Sequence, residues 1–171
     1  MMSKNRVFFL WVILIICMFV CVNSLIYYNP SKSMPIGYYI RTINSTFKVN
    51  DDVLICVTDL KQQYILYSLG LKHENSQCPR NFPFLLKRIF AKENDLIVVT
   101  TLGIKINNKL IVNSVILDHY NFHKLPSLLK FKKYKLRKDE YLVLGLTQHS
   151  YDSRYFGIIN KKQIYSRVIL L

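Results

Sequence analysis

The chain has 171 residues, of which 51% are hydrophobic, and its 24 lysines and arginines against 10 acidic residues give a formal net charge of +14. Once an apolar N-terminal run is set aside, about 140 residues remain, enough for one compact domain with its own core and too few for a second catalytic domain. The basic excess recurs through the C-terminal half and favours an anionic partner; for a domain beside a bilayer, phospholipid headgroups need fewer assumptions than nucleic acid.

Residues Val7 to Ile26 carry no charge and have the length of a membrane-crossing helix. Lys4 and Arg6 precede the run, which by the positive-inside rule predicts a cytoplasmic segment over residues 1–6, an anchor over 7–26, and a domain over 27–171 on the far side. The run exceeds a signal-peptide core, and Val22-Asn23-Ser24 makes a poor cleavage site, so the reading is a retained anchor. Of the four cysteines, Cys17 and Cys21 lie inside the run and act as small hydrophobes; Cys56 and Cys78 could pair in an oxidising compartment, which sequence alone leaves open.

Just beyond the run stands Asn29-Pro30-Ser31-Lys32-Ser33-Met34-Pro35-Ile36-Gly37, two hydroxyls in a segment stiffened by prolines. Gly37 to Ile43 is β-prone, and Asp52 to Val57 reads as a buried strand after an Asn50-Asp51 turn. Leu60, Tyr64, Tyr67 and Leu71 then fall at helical spacing, with Asp59 and Gln62 as a capping box and Gly70 to end the helix. Leu71 to Pro83 is a polar loop. Further strands follow over Phe84 to Ala91 and Asp95 to Thr100, with a hairpin around Asn107-Asn108. His119 to Lys138 is strongly basic and reads equally as a solvated connector or as a segment dipping toward lipid headgroups. Tyr141 to Leu146 returns to strand, Thr147 to Gly157 is a polar loop, and the end is apolar again. The fold class is therefore mainly β with one or two short helices, after one transmembrane helix.

A serine hydroxyl needs a base to become a nucleophile. His73, His119, His123 and His149 are available, but no motif places an aspartate to complete a triad. His119 and His123 stand one helical turn apart without the glutamate of a zinc-protease motif, so no metal is expected. Lys87, within Phe84-Leu85-Leu86-Lys87-Arg88-Ile89-Phe90, is another candidate, because an apolar strand strips water from an ammonium group and lowers its pKa. From its ordinary pKa, a lysine costs about 4.6 kcal/mol to neutralise at pH 7, so a working base needs deep burial or a cationic neighbour such as Arg88. By itself Lys87 reads more readily as a strand lysine extending its head to solvent.

These segments, together with Ser150-Tyr151-Asp152-Ser153-Arg154-Tyr155-Phe156-Gly157, resemble in order and spacing the signal peptidase I family, and within it the conjugative-transfer branch of TraF-type pilin-processing peptidases. The resemblance implies a signal-peptidase-like β domain in which Ser33 is the nucleophile and Lys87 the general base. It further implies that Ser31 and the Ser33 amide form an oxyanion hole, that Ser150 orients the lysine, and that Asp152 and Arg154 form a structural ion pair. Where the family has Gly-Asp, this chain reads Asn94-Asp95 and Asp51-Asp52, which tolerate the same left-handed turn at modest cost. The segment Gly145-Leu146-Thr147-Gln148-His149 departs from the Gly-Asp-Asn-Arg-like pattern of general signal peptidases, which favours the conjugative branch.

The expected function is a cofactor-free, membrane-anchored serine endopeptidase of the bacterial inner membrane, with its domain periplasmic. It acts on an exported precursor such as a propilin, by hydrolysis or by cyclisation, with inner-membrane phospholipid as its other partner and no specific nucleic-acid binding. The alternatives are a general type I signal peptidase and a non-catalytic single-pass scaffold of a secretion or conjugation apparatus. The glycosylation sequon Asn44-Ser45-Thr46 carries no weight in a bacterial reading.

Overall fold

Short runs of β-branched and aromatic residues, separated by asparagine-rich turns, leave little of the chain after residue 25 for helix. The computed structural model describes residues 4–42, 46–58, 63, 65–67, 70, 77–117 and 133–171, with the side chains of 4–7, 10, 19–23 and 81 outside that description. Helix α1 covers Lys4–Leu25, and Ile26, expected to end it, opens the first strand. Among the described residues no helix is long and apolar enough to cross a membrane. Of the undescribed side chains, those of residues 7, 10 and 19–23 fall inside the expected anchor.

Eleven strands follow among the described residues: β1 Ile26–Asn29, β2 Gly37–Thr42, β3 Asp52–Ile55, β4 Leu85–Ala91, β5 Leu96–Thr100, β6 Gly103–Ile106, β7 Lys109–Leu110, β8 Lys133–Lys135, β9 Glu140–Leu144, β10 Ile159–Asn160 and β11 Ile164–Leu170. A seven-stranded sheet runs β1-β2-β11-β3-β4-β9-β10 and a four-stranded one runs β7-β6-β5-β8, each paired antiparallel. The expectation of a mainly β domain holds. A one-turn helix, α2 (Ser153–Phe156), lies in the segment read from sequence as a polar loop, and residues 150–157 are buried throughout.

Three turns share one construction that sequence reading did not single out. In Lys48-Val49-Asn50-Asp51, Lys92-Glu93-Asn94-Asp95 and Arg137-Lys138-Asp139-Glu140, the third residue has φ of 74°, 74° and 61°. The acidic fourth residue donates its amide to the first residue's carbonyl and accepts that residue's amide on its carboxylate, at 2.8 to 2.9 Å. A basic-x-Asn/Asp-acidic pattern is thus a closed turn that satisfies its own backbone. It also corrects one expectation: the left-handed residue before β3 is Asn50, not Asp51, because the carboxylate is needed one position later to cap the turn. Asn107 and Asn108, both at positive φ, make the expected hairpin between β6 and β7.

The predicted helix over Leu60 to Leu71 lies mostly outside the described residues. Within it Gln63 and Ile65–Tyr67 are helical, and Gly70 has φ of 72°. Most of the basic segment, with His119 and His123, also lies outside them, as does His73; its end forms β8. Cys56 and Cys78 are disulfide-bonded, with Cα atoms 5.4 Å apart, tying the end of β3 to the 3₁₀ turn Pro79–Asn81. That bond decides what composition left open.

Candidate active site

The site forms where the loop after β1 meets the middle of β4. Asn29, only 2% exposed, builds that loop: its side-chain amide donates to the carbonyls of Ser31 at 3.0 Å and Pro35 at 2.9 Å, and its Oδ1 accepts from the Ser31 amide at 3.1 Å. Asn29 pairs with Gly37 across the β1–β2 ladder, closing the loop's ends, and the Tyr39 hydroxyl donates to Pro35 O at 2.8 Å. Met34 sinks its side chain into a core with Tyr39, Leu54, Leu86 and Val168. Ser33 is thereby held half-exposed, with an exposed Lys32 on one side and a buried methionine on the other. Sequence reading missed the part played by Asn29, although an asparagine directly before the first proline was the available signal.

Lys87 comes from β4, a central strand between β3 and β9, and is 3% exposed. Its Nζ donates to Ser33 Oγ at 3.1 Å across 54 residues of sequence. Burial pulls the Lys87 pKa down to about 8; Asp152 opposes the fall and Arg154 adds to it. Presenting the neutral amine at pH 7 then costs about 1.4 kcal/mol. Arg88 is not the cation responsible. It is spent on a two-pronged pair with its cross-strand partner Asp52, at 2.7 and 3.0 Å. Neighbouring residues of a strand face opposite sides, so Arg88 and Lys87 look away from each other.

Ser31 donates its hydroxyl to Ser33 Oγ at 3.0 Å and accepts from the Ser33 amide at 3.2 Å. The two donors expected at an oxyanion hole are therefore adjacent, and in this state they are engaged with each other. Ser150 differs from expectation. Its Oγ makes no hydrogen bond to Lys87 and, among the described residues, none to any group, although it is buried. Instead it packs against Gly145, where an added Cβ would collide with the Ser150 side chain and lie 3.0 Å from the Ser33 carbonyl.

Asp152 and Arg154, both fully buried, are paired at 2.6 Å. Asp152 also caps α2 and accepts the Gly145 amide at 2.8 Å. Arg154 spends its remaining N–H groups on the carbonyls of Asn113, Thr147, Gln148 and Ser150. The next amide after Gly145, that of Leu146, donates to Ser33 O at 2.8 Å. A continuous path thus runs from the ion pair through one backbone segment to the serine loop. A buried pair is affordable here because every charged edge is hydrogen-bonded.

Ser31, Ser33, Lys87 and Ser150 all line one cleft of about 750 Å³, with His149 exposed at its rim. Among the described residues no cluster of three or more His, Cys, Asp or Glu side chains is placed to hold a metal ion. The chemistry available is that of a hydroxyl beside a buried amine, with amide and hydroxyl donors next to it.

A family model described as signal peptidase, peptidase S26, matches residues 2–171. Two relatives from Escherichia coli, each a plasmid transfer protein TraF, are 26% identical over 144 and 142 residues, covering 80% of this chain and 76% of the relative in each case. A crystal structure of a signal peptidase I from Enterococcus faecalis V583 aligns with a TM-score of 0.40 at 16% identity, over 75% of this chain and all of the other.

Proposed function

Because this chain belongs to the signal peptidase (peptidase S26) family, and so is a serine peptidase acting on precursor proteins, we propose that it cleaves an exported propilin-like precursor through a Ser33/Lys87 dyad. The observation that carries this reading is the 3.1 Å contact between Ser33 Oγ and a lysine amine that burial has made easy to neutralise.

In the reactive state the contact is reversed: the Ser33 hydroxyl donates to the neutral Lys87 amine. Ser33 Oγ attacks the scissile carbonyl carbon and its proton passes to Nζ. The carbonyl oxygen becomes an oxyanion, for which the Ser33 amide and the Ser31 hydroxyl turn outward from each other; one such donor is worth about 3 kcal/mol. Collapse breaks the C–N bond, Lys87 returns its proton to the leaving amine, and an ester on Ser33 remains. Lys87 then takes a proton from a water, or from an amino group of the substrate itself, as that group attacks the ester carbonyl; the acyl C–Oγ bond breaks and Lys87 returns the proton to Ser33 Oγ. The first outcome is hydrolysis and the second cyclisation. Ser150 has an unused buried hydroxyl in the same cleft, and it receives the Lys87 ammonium while the proton is held there.

The setting is the periplasmic face of a bacterial inner membrane, with α1 as the anchor. Supporting this are the exposed Phe8, Trp11, Leu14 and Met18 along α1, and the exposed Tyr28, Ile36 and Tyr38 around the serine loop, which are suited to the headgroup boundary. The TraF likeness supports a conjugative precursor over general export.

The test is Ser33→Ala in a cell that makes the precursor. Uncleaved precursor accumulates, and the purified variant loses the acylation by a labelled β-lactone or penem that the parent protein shows. Normal processing in Ser33→Ala overturns the assignment, and a parent protein that takes no label favours a non-catalytic scaffold.

A further inference from the structure

The cleft does not end at the dyad. At its far side stands Arg41, whose guanidinium lies 5.3 Å from the centre of the Phe84 ring and 5.4 Å from that of Tyr165. The two rings are 4.6 Å apart, and Tyr27 meets Phe84 edge-on at 6.2 Å. This aromatic seat holds the guanidinium plane in place. Its hydrogen bonding is far from satisfied. One Nη donates to the Gln77 side chain at a long 3.4 Å, Gln77 also accepts from the Tyr165 hydroxyl, and the buried Nε has no partner. Among the described residues no carboxylate pairs with Arg41, whereas Arg88, Arg154 and Arg167 each have one.

A fixed, partly desolvated guanidinium with unspent donors, opening into a substrate cleft, is matched to a planar anion. Position sets where along the substrate that anion falls. Phe84 is three residues from Lys87 along one chain, roughly 10 Å at the rise of a strand. The aromatic seat of the guanidinium thus lies three to four residues of extended peptide from the dyad lysine.

We propose that Arg41 is an anion subsite of the cleft, taking a carboxylate of the precursor that lies three or four residues from the scissile bond. This rests on the peptidase reading of Ser33 and Lys87. The carboxylate belongs either to an aspartate or glutamate side chain or to the precursor's own C-terminus, since either fits a guanidinium edge.

The test uses the full chain in detergent, carrying Ser33→Ala so that bound peptide persists, and fluorescein-labelled alanine-rich peptides read by anisotropy. One pair carries Glu or Gln three or four residues from the central alanines, on either side. A second pair ends there, as a free acid or as an amide. Expected is roughly tenfold tighter binding of the acidic member of one pair, lost in Arg41→Gln, retained in part in Arg41→Lys, and unchanged in Lys32→Gln, the neighbouring cleft cation. The pair that responds identifies the source of the carboxylate. Equal binding within both pairs overturns the proposal. So does a gap that survives Arg41→Gln or vanishes in Lys32→Gln, or an equal loss for acidic and neutral peptides in Arg41→Gln, which marks a packing residue only. Cleavage by the unmutated protein is followed separately: an Arg41-dependent gap in binding with no cleavage would sink the peptidase reading and leave the subsite standing, whereas Ser33-dependent cleavage with no gap would do the reverse.

Discussion

Replacing Lys87 by methionine isolates what the buried amine costs the fold. Lys87 is almost fully buried with its pKa lowered to about 8, while in the unfolded chain it titrates at 10.5. Between those two values the unfolded state binds more protons than the folded one, so the stability contribution of Lys87 rises with pH across that window and is lowest below pH 8. At pH 7 the depressed pKa corresponds to about 3.3 kcal/mol of stability forgone relative to an unperturbed lysine, and at pH 9.5 to about 1.4 kcal/mol. Methionine keeps the length of the side chain without the charge. Lys87→Met should therefore be inactive yet more stable at pH 7, by up to about 3 kcal/mol, and its advantage should shrink by about 2 kcal/mol at pH 9.5. Urea unfolding of both proteins in the same mild detergent at the two pH values measures this, and the difference between them cancels the tyrosines that titrate in the same range. An advantage independent of pH, or a less stable methionine variant, would refute the account of Lys87 as a lysine held near neutrality by burial.

Activity should follow the same group in the same direction: kcat/KM for a cleaved peptide rises with pH through a midpoint near 8 as the amine loses its proton, and a midpoint at 6 or below would point to another base. Asp152→Asn leaves Arg154 buried without its counter-charge and should cost about 3–5 kcal/mol of stability by thermal or urea unfolding. In whatever fraction folds, losing the one charge that supports the Lys87 ammonium should move the activity midpoint below that of the parent protein. Removing the disulfide with Cys56→Ser and Cys78→Ser together frees a sequence separation of 22 residues, worth about 3 kcal/mol of unfolded-chain entropy, and should lower the urea midpoint by a matching amount with little change in the urea dependence of the folded baseline.

Much of the fold was legible because its signals are local. The strands over Leu85–Ala91, Leu96–Thr100 and Glu140–Leu144 follow from runs of apolar, β-branched and aromatic residues, and the Asn107-Asn108 hairpin from two residues that tolerate positive φ. The Lys/Arg-x-Asn/Asp-acidic turns were equally local: turns at Asn50-Asp51 and Asn94-Asp95 were legible, whereas the closing bond from the acidic side chain was missed because the flanking residues look like ordinary solvated charge. The polar composition of Ser150 to Arg154 pointed to surface, since a charged segment is rarely buried; it is buried here because an aspartate and an arginine two residues apart satisfy each other and the surrounding backbone.

The sequence by itself determined which chemistry was possible: a stiffened loop with two hydroxyls, a lysine in an apolar strand, and an Asp-x-Arg segment, in an order that resembles a family. These are properties of residue types and short spacings. Whether Ser33 and Lys87, 54 residues apart, would stand 3.1 Å from each other was decided only by tertiary structure. So was the identity of the cation that helps lower the lysine's pKa, Arg154 rather than the adjacent Arg88. The same holds for the unspent guanidinium of Arg41 in the same cleft. The physical reason is common to all three: desolvation and Coulomb interaction depend on distance and burial in space, and strand pairing brings together residues whose sequence positions carry no record of it.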